Sequence, residues 1–189
     1  MSTRIVLLCA VNVGGVTLPM GELRAMMADL GATEVRTYIA SGNAVCQLAN
    51  DAEVFDRALE KAIETRFGFF REAISRTPGE LRAALDAHPF EVIEPKYSYL
   101  SFLTGEPTPA ALERARILPT GRDHWEVIGR EMHIRYIGGA GHPEMKTDAI
   151  MRALAMPGTA RNLNTVRALI DLAARQGLRF PGETPRLFP

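Results

Sequence analysis

Two cysteines, Cys9 and Cys46, are all that 189 residues contain, too few for the disulfide framework that holds small secreted domains together. Lysine is nearly as scarce, confined to Lys61, Lys96 and Lys146, so the basic side is almost entirely arginine. Arginine forks onto phosphate or carboxylate, but a genome-wide codon bias accounts for the same count. Excess charge is missing too: 22 Lys+Arg against 22 Asp+Glu gives a formal net charge of zero. A protein gripping a nucleic-acid backbone through many phosphates is usually markedly basic, so the charge argues against a nucleic-acid partner. No apolar stretch reaches the roughly 18–20 residues that span a bilayer, and Met1-Ser2-Thr3-Arg4 runs straight into a strand without signal-peptide architecture. These absences predict a soluble, reduced, cytoplasmic protein with no membrane partner.

What is present describes an ordinary globular chain. Hydrophobic residues make up 47% and charged residues 23%, enough to bury one good core or two small ones.

The chain is organised around Asn12-Val13-Gly14-Gly15. The run Ile5–Val11 leads into it, apolar without alternation, as in a strand covered on both faces. Pro19 suits the first turn of a helix. Leu23, Met26, Met27 and Leu30 then fall at i, i+3, i+4 and i+7, and Gly31 ends that helix. Thr33–Ile39 alternates, Ser41-Gly42-Asn43 is a turn, and Ala44–Leu48 reads as the returning strand. A long helix follows from about Asp51 to Phe67, stopped by Gly68, with a fourth strand within Phe69–Ser75. The order βαββαβ is that of the ferredoxin-like plait.

The second half opens on Thr77-Pro78-Gly79-Glu80, a capping-box start with proline at N1. Tyr97–Leu103 is a strand, and Thr108-Pro109 starts another helix by the same device. A two-residue turn at Gly129-Arg130 predicts a hairpin pairing Val127 with Met132, Trp125 with Ile134 and Glu126 with His133. Trp125, Val127, Met132, Ile134 and Tyr136 then share one face, and His124, Glu126, Glu131, His133 and Arg135 the other. A helix near Thr147–Met156 and a last helix after Pro157-Gly158 follow. From Gly177 onward three prolines, Pro181, Pro185 and Pro189, mark a tail without regular structure. The second half thus repeats much of the first half's order, although no residue-level repeat is visible.

Three stretches, Asn12-Val13-Gly14-Gly15, Thr37–Asn43 and Ala160-Arg161-Asn162-Leu163-Asn164-Thr165-Val166, occur in this order. Together the sequence resembles the bacterial family known as domain of unknown function 1697. The resemblance implies a double plait of ferredoxin-like halves and no established activity. It also exposes departures: relatives usually carry Arg-Gly where Cys9-Ala10 stand, glutamine at Ala40 and an aromatic at Leu163.

In a plait, the end of the first strand lies beside the turn between strands two and three. Asn12, Gly14 and Gly15 should therefore meet Ser41, Gly42 and Asn43. Glycine amides beside a helix N-terminus receive anions, and the same loops also arise where tight turns need φ > 0. Arg161 is the piece that helix capping by Asn162 or Asn164 leaves unexplained, because a cation opposes the dipole there. It pairs either with a carboxylate of the first half or with an exogenous phosphate.

Other constellations are weaker. His124, Glu126 and His133 lack the further ligands that metal sites need and read as a solvated cross-strand ladder. Cys9 and Cys46, both read as lying inside strands and as neighbours on adjacent ones, have no activating partner in sequence. The strands equivalent to an RNA-stacking sheet, Ile5–Val11 and Ala44–Leu48, contain no aromatic residue, and the second half should cover that surface.

The expectation is an α+β fold of two ferredoxin-like halves, residues 1–76 and 77–176, with a Pro-rich tail at 177–189. Its candidate ligand-binding residues are Asn12, Gly14, Gly15, Ser41, Gly42, Asn43 and Arg161, for a small phosphorylated or nucleotide-like anion. No metal, cofactor or reaction is assigned, and the oligomeric state is not legible. The alternative is a protein-interaction or regulatory module in which the same motifs serve turns and the junction between halves.

Overall fold

A computed structural model describes residues 1–11 and 17–177. The first half runs β1 (Ser2–Leu8), α1 (Met20–Asp29), β2 (Thr33–Tyr38), β3 (Asn43–Leu48), α2 (Ala52–Phe67) and β4 (Ala73–Arg76). The second runs α3 (Pro78–Asp86), β5 (Ser98–Leu103), α4 (Pro109–Arg116), β6 (His124–Ile128), β7 (Glu131–Arg135), α5 (Thr147–Leu154), β8 (Gly158–Asn162) and α6 (Leu163–Gly177). The fold is α+β, built on two four-stranded antiparallel sheets ordered β2-β3-β1-β4 and β6-β7-β5-β8. Counted within each half, the order is the same.

Local chemistry sets the element ends. Asp51 accepts from the Glu53 and Val54 amides at the start of α2, and Thr77 and Glu80 form a reciprocal capping box on α3. The β6–β7 hairpin has the pairs that the Gly129-Arg130 turn predicts, Trp125 with Ile134, Glu126 with His133 and Val127 with Met132. Gly129 takes φ +62°, a conformation that costs an L side chain strain. Pro19 differs from expectation by one position: it is the N-cap of α1, with extended backbone, rather than its first helical residue.

Three apolar clusters hold the molecule together. Val6, Leu8, Ala44 and Cys46 pack on one side of the first sheet against Leu23 and Met27 of α1 and Leu59 and Ile63 of α2. Ile5, Leu7 and Val45 on the reverse side meet Leu81 of α3, Leu100 and Phe102 of β5 and Val166 and Leu169 of α6. Each fully buried aliphatic side chain contributes about 1.5–3 kcal/mol. β1 is therefore buried on both faces because α6, the last helix, lies on the sheet formed by the first half. Met132 and Ile134 form the third cluster with Ile150 and Leu154 of α5.

Three readings of the sequence are corrected. The stretch after Pro157 begins as a strand: β8 pairs with β5, placing Leu100 opposite Arg161, and α6 starts only at Leu163. Cys9 lies just past β1, and Cys46 stands opposite Arg4 in β3, so the two thiols belong to different clusters on opposite faces. His133 does not join a solvated ladder; it is fully buried, and its ring meets that of His88.

Candidate functional site

At the rim where β1 ends, the Leu8 amide donates to Gly42 O at 2.8 Å, drawing the β2–β3 turn over the strand end. Gly42 has φ +73°, and a Cβ there would collide with Val11 Cγ2 and come within 2.8 Å of Leu8 Cβ. Only glycine permits that approach. Asn43 is fully buried. Its Nδ2 donates to Ser41 Oγ at 2.8 Å and Tyr38 O at 3.2 Å, and its Oδ1 accepts from Arg161 Nε at 2.5 Å.

Arg161 reaches this turn from β8. Nη1 donates to Thr159 Oγ1 and Ala160 O at 2.6 and 2.9 Å, and Nη2 donates to Leu8 O and Ser41 O at 3.0 and 2.9 Å. With Nε on Asn43, all five guanidinium N–H groups are committed within the protein. The expected carboxylate partner is not there; backbone carbonyls and one side-chain amide take its place. Burial pushes the guanidinium down to about 10, so it stays charged at neutral pH. Burial, then the Glu72 charge, pushes the nearby Cys9 thiol up to about 12, against the pull of Arg161 and of a hydrogen bond with Thr159.

Ser41, Gly42, Asn43 and Arg161 are thus brought together, while Asn12, Gly14 and Gly15 lie outside the described residues. Val11, the last described residue before them, packs against Gly42. Two non-glycine residues flank the rim in left-handed conformation, Ala10 at φ +46° and Ile39 at φ +48°. Such strain persists only where surrounding structure enforces it.

The family described as "Protein of unknown function (DUF1697)" matches residues 1–133. The chain belongs to this family. The conserved bacterial protein SP0830 from Streptococcus pneumoniae has a similar solved structure, with a TM-score of 0.72 at 18% identity, covering 91% of this chain and 98% of that one. No curated protein matches the chain.

Two other places in this DUF1697 chain gather polar groups that its sequence did not disclose. His88 Nδ1 and His133 Nδ1 lie 3.2 Å apart, and both Nε2 atoms are buried without a hydrogen-bond partner among the described residues. Burial, reinforced by His88, pushes His133 down to about 4. The pairing joins the loop after α3 to β7, a contact between distant segments that no local pattern encodes. Among the described residues no group of three or more His, Cys, Asp or Glu side chains is placed to hold a metal. The second place is a polar cleft near the beginning of β1, lined by residues of both halves. There Asp56 accepts from the Ser75 hydroxyl at 2.5 Å and the Ser75 amide at 2.8 Å. Burial nevertheless raises its carboxyl to about 6. Asp56 and Glu60 occupy the inner face of α2, a periodicity legible only once that face is known to be covered by β4.

Proposed function

We propose that the rim binds a small phosphorylated or nucleotide-like anion. The Gly14 and Gly15 amides receive its charge, and Asn12 with Ser41-Gly42 orients it, while the buried Asn43 holds the turn from within. Arg161 acts from behind, fixing the turn and adding a positive field, because it has no N–H left to donate. The observation that supports this reading is convergence: segments near residues 8, 41 and 161 meet at one point, and Val11, the last described residue before 12–16, packs there against Gly42. In the same proposal each half is a ferredoxin-like plait, supported by the shared strand order. The protein works in the cytoplasm with neither a membrane nor a nucleic-acid partner; no described helix is long and apolar enough to cross a membrane.

The test is a thermal-shift panel of nucleotides and sugar phosphates on wild type and Asn12→Ala. A ligand at 100 times its Kd adds about 2.7 kcal/mol. Stabilisation of wild type that disappears in Asn12→Ala supports the reading. A panel without any hit, or hits that Asn12→Ala retains, overturns it. The complete internal use of Asn43 and Arg161 favours a second reading, a protein-interaction module in which the motifs clasp the two halves. On that reading Arg161→Lys lowers Tm and no small anion restores it.

A further inference from the structure

The cleft near the beginning of β1 has a volume of about 350 Å³ and opens on the seam between the two sheets, within the size range of small-molecule sites. Its walls carry opposite charge. Asp51, Glu53 and Asp56 come from the start of α2, whereas Arg4 of β1 and Arg130 of the β6–β7 turn stand with Glu80 of α3.

The positive wall is under-compensated. Arg130 Nη2 donates to Glu80 Oε1 at 2.9 Å. Arg4 Nη1 lies 4.0 Å from Glu80 Oε2, an oxygen already accepting from the Thr77 amide and hydroxyl. Two guanidiniums therefore share one carboxylate, and Arg4 Nε is buried with no acceptor. Arg76, also in the cleft, donates one hydrogen bond from each of its three nitrogens, to Glu131, Ser75 O and Leu103 O. Arg57 is taken by Glu60 at 2.8 Å. Among the described residues no ion pair joins Arg4 or Arg130 to Asp51, Glu53 or Asp56, and the cation that steadies Asp56 is Arg57. The walls face a common space without neutralising each other. A simple anion would be repelled by the α2 wall and a simple amine by the arginine wall.

We propose that this cleft binds a small zwitterion, its carboxylate or phosphate held between Arg4 and Arg130 and its protonated amine directed to the Asp56 and Glu53 wall. The oxyanion meets the terminal nitrogens of the two guanidiniums that now share Glu80, in the charge-assisted geometry guanidinium favours. The amine satisfies the acidic wall. Because the ligand spans residues of both sheets, its binding also braces the seam. This site shares none of its lining residues with the rim.

Isothermal titration calorimetry on the full chain tests it, with phosphoethanolamine and β-alanine as the phosphate and carboxylate probes. Inorganic phosphate and ethanolamine serve as one-ended controls. At least one zwitterion is expected to bind, with each control at least tenfold weaker. Arg4→Gln and Arg130→Gln are each expected to weaken binding at least tenfold. Arg130 is half exposed on a hairpin turn, so its variant decides the matter if Arg4→Gln fails to fold. No binding of either zwitterion at millimolar concentration overturns the proposal. So does equal binding of a one-ended control, or undiminished binding by Arg130→Gln.

Discussion

Arg161 Nε and Asn43 Oδ1 lie 2.5 Å apart although 118 positions separate them in the chain. Both side chains are buried, so this contact and the four carbonyl and hydroxyl contacts around it operate where water does not compete. Arg161→Met removes every donor and leaves Ser41 O, Leu8 O and Asn43 Oδ1 short of partners. A loss of about 3–5 kcal/mol is expected. Arg161→Lys, with three donors, recovers part of it. Urea unfolding with an unchanged m-value measures both.

Acid titration should reveal two opposing groups. His133, pushed down to about 4, binds its proton more readily in the unfolded chain. Its contribution is complete above pH 6.5 and is lost as pH falls through 4. Asp56, raised to about 6, does the reverse: its contribution is complete below pH 3.8 and is lost as pH rises through 6. Each slope approaches about 1.4 kcal/mol per pH unit between its two pKa values. Relative to wild type, His133→Asn should flatten the loss of stability on acidification and Asp56→Asn should steepen it. Denaturation midpoints at pH 6.5, 5.5 and 4.5 check this.

Strain at the rim gives a third expectation. Ala10 and Ile39 are exposed and hold positive φ. Ala10→Gly and Ile39→Asn are expected to gain roughly 0.5–1 kcal/mol each, since both relieve the backbone without removing buried surface. Gly42→Ala should lose more than about 2 kcal/mol, because it adds left-handed strain to a collision with Val11 and Leu8. Thermal melts of the three variants separate the cases.

Burial holds both thiols at about 12, and 6% and 0% of the Cys9 and Cys46 surfaces reach solvent. Native protein should therefore resist an aromatic disulfide reagent at neutral pH, with both cysteines labelled promptly in denaturant. Rapid labelling of either one in native protein contradicts the packing.

Much of the fold was legible because local rules and tertiary structure agree. Gly129-Arg130 fixed the hairpin register, Thr77 and Glu80 marked the start of α3, and the unbroken apolar run at Ile5 announced a strand buried on both sides. β8 escaped notice because its buried positions are Thr159 and Arg161 while Ala160 is exposed, inverting the alternation that marks a strand. His133 was misread for a related reason. The face it occupies is covered by the loop carrying His88, which lies 45 residues away in the chain. At the rim, the turn and its glycine could be anticipated from sequence. Arg161's five internal partners could not, because three of them are backbone carbonyls that no residue pattern encodes.

The position of α6 has a consequence for biosynthesis. Ile5, Leu7 and Val45 leave the ribosome well before part of their cover on one face, the helix α6, which is translated only after both sheets. A nascent first half keeps part of this oily surface open until residues 163–177 follow α3 and β5, and the Arg161 contacts close over it only then. Chaperone occupancy on stalled nascent chains should accordingly stay high until that last helix clears the exit tunnel, then fall abruptly.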